Sequence, residues 1–265
     1  MIEKITSIQN PKIKNIVKLQ QKSSERKKQN LIVIEGLREI ILASRAGMKI
    51  KSLFICFDII SYDDVRKNLQ SDIQSFEISK EIFEKTAYRG STEGIIALAE
   101  PKHFEINDLK LRENPLIVVL ESVEKPGNLG AILRTADAAK ADAVIICDPL
   151  TDIYNPNVIR SSVGCVFTNQ IATCSTNETI AWLKEKGIKS FAAALTARQF
   201  YHEVDLTGSV AFVMGTEADG LTEKWLNGAD KQILIPMSGE IDSLNVSTSA
   251  AILIFEAMRQ RNFYK

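Results

Sequence analysis

Residues 115–148 read PLIVVLESVEKPGNLGAILRTADAAKADAVIICD, and this stretch decides the fold class. Two near-continuous apolar runs, 115–123 and 142–148, flank a glycine-bearing turn and a segment in which Leu129, Ile132, Leu133 and Ala136 recur at helical spacing. Strand, turn, helix and strand make a βαβ unit, and strands that are apolar on both faces belong in a parallel sheet covered by helices. The rhythm continues in KSFAAAL (189–195), VAFVMG (210–215) and KQILIPM (231–237), each followed by a polar or glycine-bearing loop. The expected architecture is α/β with a parallel sheet. Ligands of such sheets bind beyond the carboxyl ends of strands, here in the loops after 115–123, 210–215 and 231–237.

In the first of these loops, EKPGNLGAILRTADA (124–138), Gly127 and Gly130 permit a tight turn and Asn128 is placed to cap the helix. At 100° per residue Arg134 falls opposite the apolar stripe, free to reach a ligand; a plain surface arginine is the bland alternative. Asp148 at the end of the next strand also suggests a dinucleotide-binding unit, but the G-x-G-x-x-G spacing is absent. The second loop, GTEADGL (215–221), sets two glycines beside two carboxylates. Glu217 suits proton transfer or ligand binding, while Asp219 also suits a helix N-terminus. In the third, IPMSGEIDSLNVSTSAAILIFEAM (235–258), a helix is opened by Ser243, Asn245, Ser247, Thr248 and Ser249. One cap needs one such residue, so five suit recognition of a polar ligand.

The 265 residues are 45% hydrophobic and 25% charged, which excludes a disordered chain. Net charge is zero, so any affinity for a polyanion must come from a local patch. Residues 1–38 supply one, with nine basic side chains against three acidic, and a solvated lysine face is the alternative reading. LIVIEG (31–36), IKSLFICF (50–57) and GIIALAE (94–100) read as strands, LREIILASRAG (37–47) and ISKEIFEKTAY (78–88) as helices, and SYDDVRKNLQSD (61–72) as a polar stretch. A small α/β domain over residues 1–105 and a larger one over 106–265 follow, with 101–115 as linker. Four scattered cysteines and two histidines form no metal-ligand spacing, so no metal is expected. Residues 1–20 lack a signal-type apolar core and no run of ~18 apolar residues occurs, so the expectation is a cytoplasmic protein without a membrane partner.

Taken in order, Asn-Leu-Gly-x-x-x-Arg (128–134), Gly-x-Glu-x-x-Gly-Leu (215–221) and Ile-Pro-Met-x-Gly with Ser-Leu-Asn-Val-Ser (235–247) resemble the three motifs of the SpoU/TrmH family, in the SPOUT class of RNA methyltransferases. The first half, with ITSIQNPKIK and LIVIEGLREI, is similar to the substrate-binding domain of the two-domain ribosomal-RNA enzymes of that family. The resemblance implies a catalytic domain with a C-terminal trefoil knot, preceded by a small ribosomal L30e-like α/β domain. It implies S-adenosylmethionine as cofactor, a homodimer, and transfer of a methyl group to a ribose 2′-hydroxyl of RNA, with large-subunit ribosomal RNA favoured by the sizeable first domain.

By motif position, cofactor contacts fall to Leu195, Gly215, Ile235, Met237 and Leu244, and the catalytic set is Asn128, Arg134, Glu217, Ser243 and Asn245. Many relatives carry Asn where this chain has Thr216, a departure that a hydroxyl can largely accommodate. A guanidinium is a very poor base. Arg134 is therefore expected to grip phosphate and stabilise charge on the 2′-oxygen, with Glu217 or a water accepting the proton, and Ser243 and Asn245 orienting the loop and cofactor. Lys12, Lys14, Lys18, Arg26, Lys27 and Lys28 are the expected phosphate contacts. A transfer-RNA enzyme, an antibiotic-resistance ribosomal enzyme and a non-catalytic RNA-binding protein are the alternatives.

Overall fold

The computed structural model describes residues 2–70, 72–88 and 93–264. Contacts divide the chain into two compact units, one running through Lys102 and including Ile153–Thr168, the other formed by His103–Asp152 and the chain from Asn169 onward. The division after Lys102 lies close to the expected end of the first domain at residue 105. Sequence reading, however, left 153–168 in the second domain, where contacts assign it to the first. Its two short helices, Pro156–Ser161 and Cys165–Thr168, are rich in buried residues, with Val158, Ile159, Val166 and Phe167 inside.

The first unit is built on a five-stranded sheet of β1 (Glu3–Ile5), β2 (Ile32–Glu35), β3 (Ile50–Ile55), β4 (Gln74–Ile78) and β5 (Ile95–Ala99), in the order β1-β4-β3-β5-β2. β5 runs antiparallel to its neighbours β2 and β3, and the other pairs are parallel. α1 (Pro11–Gln21) lays Ile13, Ile16 and Leu19 into the core beside the stacked rings of Phe54 and Phe76. Asn10 caps it by accepting from the Lys12 amide at 2.9 Å, and Pro11 takes the first turn, where a missing N–H costs nothing. α2 (Ser23–Gln29), α3 (Leu37–Arg45), α4 (Tyr62–Asn68) and α5 (Lys80–Thr86) complete the unit. α4 occupies the polar stretch, opened by Ser61, whose hydroxyl accepts from the Asp64 amide.

The second unit holds seven parallel strands in the order β10-β12-β9-β11-β6-β7-β8. They are β6 (Leu116–Glu121), β7 (Ala143–Cys147), β8 (Ile171–Cys174), β9 (Lys189–Ala193), β10 (Gln199–Phe200), β11 (Val210–Met214) and β12 (Lys231–Leu234). The five expected strands are present, and the two extra ones, β8 and β10, are the short edge strands. β6, β7 and β11 are buried along their whole lengths, as helices on both faces require. Those helices include α6 (Pro126–Ala138), α9 (Thr176–Glu185), α10 (Glu223–Gly228) and α11 (Val246–Gln260), with α7 and α8 naming the two helices of 153–168. Arg112 fastens the segment before β6, its Nε and Nη2 donating to the buried Asp142, which also accepts from the Leu116 amide.

From β6 the chain moves outward through β7 to β8, then crosses to build the other side of the sheet, with β11 against β6. The boundary between β6 and β11 is thus a topological switch point, and in open parallel sheets the crevice beyond the carboxyl ends at such a point is where ligands bind. The loops that emerge there are 122–125 and 215–222.

Candidate active site

The loop after β6 enters α6 at Pro126, three residues earlier than a capping role for Asn128 requires, so Asn128 lies inside the first turn and caps nothing. Its amide instead donates to Glu217 Oε1. The loop after β11 is closed by paired backbone bonds, Thr216 N–H to Gly220 O at 3.0 Å and Gly220 N–H to Thr216 O at 3.2 Å. The Thr216 hydroxyl accepts from the Asp219 amide at 2.9 Å, the local bond expected to survive the departure from Asn. Gly215 has no substitute: a Cβ there would lie 2.0 Å from the Gly220 carbonyl oxygen.

Asn245 joins this cluster from the start of α11. Its Oδ1 caps the helix, accepting from the Ser247 amide at 3.0 Å and the Ser247 hydroxyl at 2.6 Å. Its Nδ2 donates to Glu217 Oε1 at 2.7 Å and to Asn128 Oδ1 at 3.2 Å. One residue therefore closes a helix and binds two motifs together.

Lys125, which sequence reading missed, completes the arrangement by donating from Nζ to Glu217 Oε2. This ammonium, more than offsetting desolvation and assisted by the Asn128 amide, holds the Glu217 carboxyl below the usual glutamate range. Glu217 is thus an ionised anchor served by three donors, a poorer resting base than its isolated sequence suggested. Glu121, also unforeseen, is buried at the end of β6 and accepts from the amide and hydroxyl of Thr222 at 2.8 and 2.7 Å, fixing the far end of the 215–222 loop. The local signal for Lys125 was its place beside Pro126 and Asn128; for Glu121 it was a lone acid ending an apolar strand.

Two clefts adjoin the cluster. A small one of about 100 Å³ is lined by Val123, Glu124, Lys125, Asn128, Val246 and the 215–219 loop. A larger one of about 500 Å³ is lined by all five expected cofactor residues, Leu195, Gly215, Ile235, Met237 and Leu244, together with Ser243, Thr196 and Asp242. Ser243 donates to Asp242 at 3.2 Å and makes no bond with the Glu217 cluster among the described residues. Arg134 is exposed on α6 and lines neither cleft. Six residues separate it from Asn128, which on a helix is about 9 Å of rise and 120° of rotation.

The larger cleft has the size of a small-molecule site, with apolar walls from Leu195, Met214, Ile235 and Met237. Its charged lining, among the described residues, is Glu217, Asp219 and Asp242, without a lysine or arginine. Such a lining suits a ligand carrying positive charge and opposes a pyrophosphate-bearing dinucleotide. No group of three or more His, Cys, Asp or Glu that could hold a metal occurs among the described residues.

The SpoU rRNA Methylase family model matches residues 115–255, the segment that supplies every member of this cluster. The chain belongs to the SpoU rRNA methylase family. An MRM3-like substrate binding domain model matches residues 10–97 of the same chain. Relatives of this SpoU-family chain include a Bacillus subtilis protein named 23S rRNA (guanosine(2553)-2'-O)-methyltransferase RlmP, 30% identical over 96% of this chain and 98% of the relative. A Vibrio cholerae 23S rRNA (guanosine-2'-O-)-methyltransferase RlmB is 36% identical over 70% of this chain and 77% of its own length. Among solved structures, an RNA 2'-O ribose methyltransferase has a TM-score of 0.86 at 37% identity, covering 98% of this chain and 99% of that one. An AdoMet-bound rRNA methyltransferase from Sinorhizobium meliloti has a TM-score of 0.87 at 29% identity, covering 97% and 98%.

Of the six phosphate contacts expected in the first unit of this SpoU-family chain, five are exposed: Lys12, Lys14, Lys18, Lys27 and Lys28. Lys12 is partly engaged, 3.4 Å from Glu3 and 4.7 Å above the Phe76 ring. Arg26 is the correction. It is 5% exposed, and its Nη1 donates to the carbonyls of Leu19 and Gln20, tying α2 to the end of α1. Those carbonyls are left open by the helix terminus, and a guanidinium satisfies them at the cost of its availability to phosphate.

Proposed function

We propose that this protein is an S-adenosylmethionine-dependent ribose 2′-O-methyltransferase that acts on RNA of the large ribosomal subunit. The observation that carries the reading is the convergence of Asn128, Glu217 and Asn245 at the switch point, beside an apolar cleft whose charged lining is acidic. Bound there, S-adenosylmethionine supplies an electrophilic methyl group on a positively charged sulfonium. Leu195, Ile235, Met237 and Leu244 would enclose the cofactor, Gly215 lets the chain close against it, and Asp242 and Asp219 favour its cationic groups.

The chain's own task is to align the ribose hydroxyl and to receive its proton. Glu217, held by two amides and an ammonium, keeps a fixed acceptor at the junction of the two clefts. Arg134, exposed and away from both clefts of its own chain, is suited to gripping RNA phosphate. That position supports a homodimer in which Arg134 serves the cleft of a second copy. A trefoil knot is part of the same reading; α11 returning against α6 and β11 while β12 lies between β10 and β9 is in keeping with it.

Residues 1–105 we take as the RNA substrate-binding domain, with Lys12, Lys14, Lys18, Lys27 and Lys28 on phosphates, and 106–265, apart from the 153–168 segment that packs with the first unit, as the catalytic domain. Cytoplasmic location follows from the substrate; among the described residues no helix is long and apolar enough to cross a membrane. The test is calorimetric titration with S-adenosylmethionine and, in parallel, NADH, followed by transfer of labelled methyl groups to ribosomal and transfer RNA and mapping of 2′-O-methyl sites. Binding of S-adenosylmethionine alone with transfer to 23S rRNA is the expected result. NADH binding, transfer to transfer RNA only, or RNA binding without transfer would each replace it with another function.

A further inference from the structure

We propose that Lys125 is a catalytic residue of the methyl transfer, its ammonium donating a hydrogen bond to the ribose 2′-oxygen while Glu217 Oε2 accepts that hydroxyl's proton. The inference rests on the methyltransferase reading and deepens it.

The two oxygens of Glu217 are served unequally. Oε1 receives the amides of Asn128 and Asn245, whereas among the described residues Oε2 receives only Lys125 Nζ. A carboxylate oxygen accepts two hydrogen bonds, so Oε2 retains room for a hydroxyl. The ammonium has three N–H groups, of which one goes to Glu217, and the Lys125 side chain is 69% exposed on the side of the small cleft. A hydroxyl that donates to Oε2 therefore enters within reach of the same ammonium. This shared reach favours the 2′-oxygen over a backbone phosphate as the partner of Lys125. Of the described residues lining the two clefts, Lys125 is moreover the only one with a basic side chain. Arg134 of the same chain lies about 9 Å farther along α6 than Asn128 and about 120° around the helix from it.

The chemistry balances. The 2′-oxygen forms a bond to the methyl carbon, the carbon–sulfur pair stays on sulfur, the O–H bond breaks, and the proton goes to Oε2 and from there to solvent. Lys125 lowers the basicity of Glu217, yet proton transfer remains downhill because the hydroxyl becomes strongly acidic as its oxygen takes on the methyl group. The proton moves to Oε2 as the carbon–oxygen bond forms, and the ammonium meets the partial negative charge that the 2′-oxygen carries while the O–H bond lengthens ahead of full bonding.

The test is single-turnover transfer to 23S rRNA by the full-length protein with Lys125 intact, Lys125→Met and Lys125→Arg. Lys125→Met is expected to lower the rate at saturating RNA and cofactor by about 10²–10³-fold, the effect of removing one preorganised donor. S-adenosylmethionine affinity, RNA affinity and thermal unfolding should stay near wild type, and Lys125→Arg should recover part of the rate. The acidic limb of the pH–rate profile should move up in Lys125→Met, because Glu217 has lost its cationic neighbour. An unimpaired rate overturns the proposal. So does a loss confined to RNA affinity with a salt slope reduced by about one, which would mark a phosphate contact. A rate loss with an unmoved acidic limb, or one that follows lost cofactor binding or folding, overturns it in favour of a structural role. A wild-type protein that methylates no RNA refutes the functional reading itself, which separates the two failures.

Discussion

Replacing Gly215 by alanine tests whether the 215–221 turn is the wall of the cofactor cleft. The added Cβ would stand 2.0 Å from Gly220 O and 2.5 Å from the Leu221 nitrogen, against 3.4 Å for ordinary contact, so backbone must move by about 1.4 Å. Both opposing atoms belong to the main chain, and no side-chain rotation relieves the clash. The movement breaks the paired bonds between Thr216 and Gly220, each worth about 1 kcal/mol net. Keeping the turn closed instead presses a methyl group into main-chain atoms at 2.0–2.5 Å, a strain above the ordinary overpacking range, about 4–6 kcal/mol against the roughly 2 kcal/mol of bonds regained. Closure in the variant is therefore disfavoured by about 2–4 kcal/mol. Because the open form of the free protein escapes that cost, it falls on ligand binding. Apparent affinity for S-adenosylmethionine should drop roughly 30- to 700-fold at 1.4 kcal/mol per tenfold. Gly208→Ala is the control, since a Cβ there meets nothing within 4 Å. Calorimetric titration reads both variants. Affinity within threefold of wild type in Gly215→Ala would refute the assignment of this turn to the cofactor site.

The two duties of Asn245 can be separated: Asn245→Ala should lose about 1 kcal/mol of stability with its cap, whereas Asn245→Asp keeps the cap but sets a second carboxylate against Glu217, so that melting stays near wild type while methyl transfer falls. Since Lys125 depresses the Glu217 pKa, the cluster is complete above the ordinary carboxylate range and is lost only as pH falls through the lower folded value. The Glu217 carboxyl, followed by NMR downward from neutral pH, should accordingly titrate below the normal glutamate range, and titration inside that range would deny Lys125 its hold. In the first unit, Arg26→Ala should cost roughly 2–3 kcal/mol in a melting experiment by orphaning the Leu19 and Gln20 carbonyls. Lys27→Ala with Lys28→Ala should instead leave stability unchanged and flatten the salt dependence of RNA binding by about two units of log–log slope at most. An equal effect of both changes on that slope would mean that Arg26 reaches phosphate after all.

Strands with unbroken apolar runs, such as LIVVLE at 116–121 and VAFVM at 210–214, were legible because burial on both faces leaves no room for polar alternation. The strands that escaped notice, Glu3–Ile5, Gln74–Ile78, Ile171–Cys174 and Gln199–Phe200, are short, and only tertiary pairing distinguishes their few apolar residues from loop. The same limit hid the membership of 153–168, whose buried face gives no sign of which core it joins.

Residue type and spacing by themselves determined that the second half is a parallel α/β sheet and pointed to three loops beyond its strands, while the resemblance to the SpoU/TrmH motifs supplied the five residues that line the larger cleft. Tertiary structure decided which functional groups meet. Asn128, Glu217 and Asn245 lie up to 117 positions apart in the chain and share hydrogen bonds only because β6 and β11 are neighbours. For the same reason Lys125, which no motif singled out, joined the cluster, and Arg26 left the set of expected phosphate contacts. A basic side chain shows its charge in the sequence, but whether that charge faces a carboxylate in a cleft or two carbonyls at a helix end depends on the packing around it.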